Sequence, residues 1–171
     1  EETSMKKEVR LYNVLFPIWL LWIFPQVWLV VAPANLAVDC LVLTLTLTAL
    51  GHRGKRGVVR QLWWKFWLLG FLADFVGVAL LLPSMFVPEL LDGEARAWAY
   101  ENLSPLWHNV FQSPAAFLWM LLAVAAAGAC IYFFDRRAMG SCRLLTGREK
   151  HIVALTMAIV TAPWLFFIPM Y

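Results

Sequence analysis

Charged side chains are scarce in this sequence. Asp, Glu, Lys and Arg make up 15% of the 171 residues, whereas hydrophobic residues make up 62%. A soluble domain of this length could not hide so much apolar surface in one core. The composition therefore excludes the ordinary soluble globular class and predicts a membrane protein, with the lipid bilayer as its first partner.

Motifs of the familiar enzyme and cofactor classes are missing as well. The sequence has no phosphate-binding glycine loop, no HExxH or GxSxG motif and no haem-type spacing of Cys and His. Its three cysteines show no CxxC or Cys/His spacing, which argues against a zinc site and a disulfide framework. We therefore expect no cofactor, no metal centre and no nucleic-acid partner, and the sequence favours a protein that is not an enzyme.

Long apolar runs are what the sequence does contain. Judged against the roughly 17 to 25 residues that cross a bilayer, they predict five transmembrane helices, at residues 11–32, 35–50, 62–82, 114–134 and 152–168. Pro33 and Asn35 predict a tight turn between the first two runs, which would then form an antiparallel hairpin with Asn35 near the N-cap of the second helix. The predicted fold class is an all-α, polytopic membrane helix bundle.

The chain is predicted to form one domain. Residues 1–5 are a polar stub that we interpret as an expression scar. No repeat or linker divides residues 6–171, so these form a single transmembrane domain in our interpretation.

Basic residues decide the predicted orientation. Every Lys and Arg except Arg96 falls before the first run, between the second and third runs or, for Lys65, in the first turn of the third, or between the fourth and fifth. Cytoplasmic loops retain Lys and Arg, so five spans place the N-terminus in the cytoplasm and the C-terminus outside. The acidic connection at residues 88–109 then faces outward. We expect the location to be a cell membrane of the bacterial inner-membrane type.

Asp74 lies in the middle of an apolar run. A charge at the bilayer centre costs at least ~2.5 kcal/mol even on the most lenient insertion scale, so this carboxylate needs a partner, water or a proton. Asp39 lies in the preceding run, and the predicted boundaries bring both carboxylates into the outer half of the bundle. The simpler interpretations are that Asp39 caps a helix and that Asp74 makes a structural hydrogen bond to a neighbouring helix.

The predicted ion-binding or substrate-binding set has four members. Helical spacing places Asn35 and Thr46 on one face with Asp39. In this hypothesis Asp39 and Asp74 bind or relay the ligand, while Asn35 and Thr46 orient it. His108, in the outer connection, is a candidate pH-sensitive gate, although an ordinary interfacial histidine is the simpler interpretation.

Three functions fit these observations. The buried acids and the acidic outer connection favour a small transporter, channel or substrate-binding subunit for a proton, a cation or a small cationic solute. One alternative is a non-catalytic subunit whose Gly and Ala faces dock on a larger membrane complex. Another is an intramembrane enzyme with a two-Asp acid/base pair, although the motif residues of membrane aspartyl peptidases are missing. Partners would be a small cation or solute and either a second copy of the chain or a larger complex.

Overall fold

The computed structural model describes residues 25–169, and this part of the chain is helical without any strand. The helices are α1 (Pro25–Ala49), α2 (Lys55–Leu81), α3 (Pro83–Leu90), α4 (Gly93–Leu103), α5 (Pro114–Ala138) and α6 (Gly147–Val160). Short 3₁₀ turns follow α4, precede α5, and come after α5 and α6.

Four segments within residues 25–169 are long and apolar enough to cross a membrane: Leu29–Ala49, Lys55–Leu90, Pro114–Ser141 and Gly147–Phe167. The last three correspond to the last three predicted runs, whereas Leu29–Ala49 joins the end of the first predicted run to the second. By length and composition, the four segments support the class of a multi-pass membrane helix bundle. The predicted first run begins at residue 11, and its part before residue 25 lies outside the described residues. The number of five spans and the orientation of the chain therefore stay predictions.

The predicted turn at Pro33 and Asn35 is wrong. Helix α1 continues through Pro33 without interruption, so Asn35 lies inside a helix and caps nothing. Proline removes one backbone hydrogen bond, but a turn at this depth would leave several backbone groups unpaired in lipid. The indole Nε1 of Trp67 also donates to the carbonyl oxygen of Ala32, at 2.9 Å, immediately before the proline. One lost bond therefore costs less than a broken helix.

The four long helices form a closed ring. Helix α1 packs against α2 and α6, and α5 packs against α2 and α6. Successive spans run in opposite directions, so each helix has antiparallel neighbours. The buried core forms two clusters, one toward the α1–α2 turn and one toward α3 and α4.

One end of the ring is built from the α1–α2 and α5–α6 turns. Gly51 has φ +68°, the left-handed conformation that ends α1 without a side-chain clash. Thr146 and Glu149 form a capping box at the start of α6. His52 Nδ1 lies 2.9 Å from Glu149 Oε1 and joins the two turns across 97 residues of sequence. We call this end of the bundle the basic end, because ten Lys and Arg residues lie in or beside its two turns: Arg53, Lys55, Arg56, Arg60, Lys65, Arg136, Arg137, Arg143, Arg148 and Lys150.

The opposite end carries a small helical cap, residues 82–113, between α2 and α5. Buried Ala99, Leu103 and Leu106 of the cap pack against the first turns of α5. The Tyr100 hydroxyl donates to the carboxylate of Glu89, and this hydrogen bond raises the pKa of Tyr100. Four exposed carboxylates make the cap acidic, at Glu89, Asp92, Glu94 and Glu101.

Helices α2 and α5 approach closely at Gly77. A Cβ on Gly77 would lie 3.3 Å from the Cβ of Ala127 and 3.6 Å from the carbonyl oxygen of Ala123. Small residues at such a crossing let two membrane helices pack backbone against backbone. The crossing sets the spacing between α2 and α5.

We expect Gly77→Leu to lower the free energy of unfolding by about 1 to 3 kcal/mol, because the added side chain overpacks the crossing. Ala79→Leu is the matched control, since Ala79 is exposed on the same helix. Thermal unfolding in detergent measures both changes. Equal stability of the two variants would mean that Gly77 does not hold α2 against α5.

Candidate functional site

Asp39 lies on α1, ten residues before the end of that helix. This is about 15 Å along the helix axis. The side chain is half-buried. A Cβ on Gly70 of α2 would lie 3.8 Å from Oδ2 of Asp39, so the carboxylate points toward α2. This is an ordinary van der Waals separation, so Asp39 packs beside Gly70.

Asp74 lies one turn beyond Gly70 on α2. Its Oδ1 is fully buried and has no hydrogen-bond partner among residues 25–169. Residues four apart share one face of a helix, so Asp74 lies on the side of α2 that the Asp39 carboxylate approaches at Gly70, and the charge of Asp39 acts on it. An unpaired carboxylate oxygen in a helix bundle is costly, because neither lipid nor apolar side chains replace its hydration.

Asp135 is a third carboxylate at this site, and sequence reasoning missed it. It lies on α5 with 1% of its surface exposed, and the charge of Asp39 acts on it as well. The predicted run ended at residue 134, which assigned Asp135 to the following basic turn. Helix α5 instead continues to Ala138, so Asp135 remains on the helix. The missed signal is the four-residue spacing that Asp135 shares with buried Ala127 and Ile131.

We call Asp39, Asp74 and Asp135 the aspartate cluster. They come from three helices, and Asp39 interacts with both of the others. Neither of the ion pairs found within residues 25–169, His52 with Glu149 and Arg96 with Asp92, includes a member of this cluster. No group of three His, Cys, Asp or Glu residues in that range is arranged to hold a metal ion.

Of the other predicted site residues, Asn35 and Thr46 lie on α1 and His108 lies in the cap. Asn35 is half-buried one turn before Asp39 on α1. Thr46 is seven residues beyond Asp39, about 10 Å along the helix, and its hydroxyl donates to the carbonyl of Val42 at 2.7 Å. His108 is exposed in the cap, with Nε2 at 3.0 Å from Oε1 of Gln112. The structure thus brings together Asp39 and Asp74, but not Thr46 or His108.

Two open grooves lie on the flanks of the bundle. One, of about 350 Å³, lies between α1 and α6 and is lined by Leu45, Thr46, Ala49, Leu50, Ile152 and Thr156. The other, of about 360 Å³, lies between α5 and α6. No residue of the aspartate cluster lines either groove. The cluster therefore faces neighbouring helices and not these lateral openings.

Comparisons with protein-family models, with curated proteins and with solved structures found no match to the chain.

We expect cysteines at positions 39 and 70 to be joined by a short bifunctional thiol reagent, because the Asp39 carboxylate lies against Gly70. The test uses Asp39→Cys with Gly70→Cys in a chain whose three native cysteines are replaced. Asp39→Cys with Gly77→Cys is the control, since position 77 is two helical turns further along α2, about 10 Å away. The shift of the cross-linked chain on a denaturing gel reports the outcome, and equal cross-linking of both pairs would contradict the geometry.

Proposed function

We propose that this protein is a small multi-pass membrane transporter, channel or substrate-binding subunit whose aspartate cluster binds a proton or a small cation. The observation that carries the proposal is the buried Oδ1 of Asp74, which has no hydrogen-bond partner within residues 25–169 and lies within reach of the charge of Asp39. A proton or a cation neutralises such a pair, whereas a further hydrogen bond from one helix satisfies only one oxygen.

The position of Asp39 between two other acids supports movement of the ligand. Asp74 lies seven residues before the cap end of α2, and Asp135 lies three residues before the basic end of α5. Asp39 interacts with both. A proton or cation that leaves Asp74 for Asp39 and then for Asp135 would advance from the cap toward the basic end.

Charge at the two ends supports a direction. The cap carries four exposed carboxylates, whereas ten Lys and Arg residues lie at the opposite end. An acidic entrance concentrates cations near the cap. Basic segments are retained on the cytoplasmic side of a cell membrane. In the proposed orientation the cap therefore faces outward, and the relay runs from the outside to the cytoplasm.

We expect Asp74→Asn to reduce proton or cation flux to the level of protein-free liposomes, because the amide cannot carry the exchangeable proton or bind the cation. The measurement uses purified protein in liposomes that contain a pH-sensitive or ion-sensitive dye. Asp92→Asn is the matched control, since the Asp92 side chain is 98% exposed in the cap. Wild-type flux in Asp74→Asn would contradict the proposal.

Thermal unfolding of the same variants separates transport from the alternatives. Under the proposal Asp74→Asn unfolds at or above the wild-type temperature, because it removes a poorly solvated charge. Absence of flux in the wild type, together with destabilisation by Asp74→Asn, would favour a structural hydrogen bond and hence the subunit hypothesis. Peptide cleavage that is lost in both Asp39→Asn and Asp74→Asn would favour the intramembrane enzyme.

We expect a cysteine placed at Gly93 in the cap to react with a membrane-impermeant thiol reagent in intact cells. Cysteines at Gly54 or Gly140, at the basic end, should react only after the cells are opened, because Lys and Arg hold that end in the cytoplasm. No side chain lies within 4 Å of a Cβ at Gly140, so the substitution is tolerated there. Labelling of the Gly54 or Gly140 probe in intact cells would reverse the proposed orientation.

A further inference from the structure

The groove between α1 and α6 ends beside the densest part of the basic end. Its lining includes Ala49 and Leu50 at the end of α1, and Ile152 near the start of α6. Immediately beyond these residues, His52 and Glu149 join the two helices at 2.9 Å. The groove is therefore closed toward the basic end by one polar bridge.

Two basic side chains stand next to that bridge in the sequence. Arg53 follows His52 and Arg148 precedes Glu149 in the sequence, so the backbones of both arginines lie beside the His52–Glu149 bridge. Both side chains are exposed. Neither forms an ion pair with a carboxylate within residues 25–169. Glu149 forms no ion pair with either arginine within residues 25–169, and its oxygens bond to His52 and Thr146.

The groove itself opens on an apolar flank. Leu45, in its lining, is 59% exposed and lies within a segment that is long enough to cross a membrane. Within the groove the Thr46 hydroxyl is already bonded to its own helix. The groove thus has an apolar wall along the membrane-spanning part of the helices and positive charge at the basic end.

We propose that this groove and the two arginines bind an anionic phospholipid, with an acyl chain against the groove and the phosphate between Arg53 and Arg148. A soluble phosphate would use the arginines and leave the apolar wall empty, and a neutral lipid would use the wall and leave the charges unpaired. Basic pockets between membrane helices are suited to anionic headgroups. This inference is independent of the proposed transport function and requires only that the bundle lies in a membrane.

The test measures binding of phosphatidylglycerol to the full chain in nanodiscs or by native mass spectrometry, with phosphatidylcholine as the reference lipid. We expect Arg53→Gln with Arg148→Gln to lower affinity for phosphatidylglycerol roughly tenfold to thirtyfold, since each basic residue near a membrane surface contributes about 1 kcal/mol. Arg56→Gln with Arg60→Gln is the matched control, because it removes the same charge from exposed positions on α2. An equal loss in the control would show diffuse attraction and would overturn the site.

Ala49→Phe tests the groove separately from the charge. Ala49 is exposed at the groove wall, so the larger side chain fills the groove without disturbing the core. We expect it to lower phosphatidylglycerol binding while both arginines remain. Unchanged binding in this variant, or full competition by inorganic phosphate, would show that no acyl chain occupies the groove and would overturn the proposal.

Discussion

Hydrocarbon cannot replace the hydrogen bonds that water gives to a polar group, and this one constraint accounts for most of the structure. It keeps α1 helical through Pro33 despite the lost amide hydrogen. It also explains the threonines of α1, since the hydroxyls of Thr44 and Thr46 donate to carbonyl oxygens one turn earlier. These hydroxyls are satisfied by the helix itself, so their presence does not by itself indicate a pathway.

The aspartate cluster is the exception to that constraint, and for this reason it carries the functional argument. A carboxylate cannot be satisfied by its own helix in the way a hydroxyl can, and Asp74 keeps one buried oxygen without a hydrogen-bond partner in the described part of the chain. Asp39 packs beside Gly70 of α2, one turn from Asp74. The site thus depends on the packing of α1 against α2, as well as on the acids themselves.

The sequence predicted the membrane class, the last four apolar runs and the approach of Asp39 to Asp74, because these follow from apolar composition, span length and the cost of a buried charge. The turn at Pro33 was wrong because turn propensities come from soluble proteins, where water satisfies a broken helix. Asp135 was missed because two arginines follow it, and charge was taken to end the span. Helical periodicity, which continues through Asp135, is the better signal at the end of a membrane helix. Thr46 shares a helical face with Asp39 but lies about 10 Å further along the helix axis. A shared face alone does not reveal that distance.

One contact in the ring of four long helices, the contact between α1 and α6, joins helices that do not follow each other along the chain. We call this contact the seam. Within residues 25–169, chain connections link α1 to α2, α2 to α5 and α5 to α6, whereas α1 and α6 meet through packing and through His52 and Glu149, 97 residues apart in sequence. During synthesis the α1–α2 hairpin leaves the ribosome well before α6 exists. The seam closes the longest loop and therefore has the greatest entropic cost. We expect it to form last during assembly in the membrane. Until α6 packs in place, the side of α1 that will face it is accessible to chaperones, insertion factors and lipid.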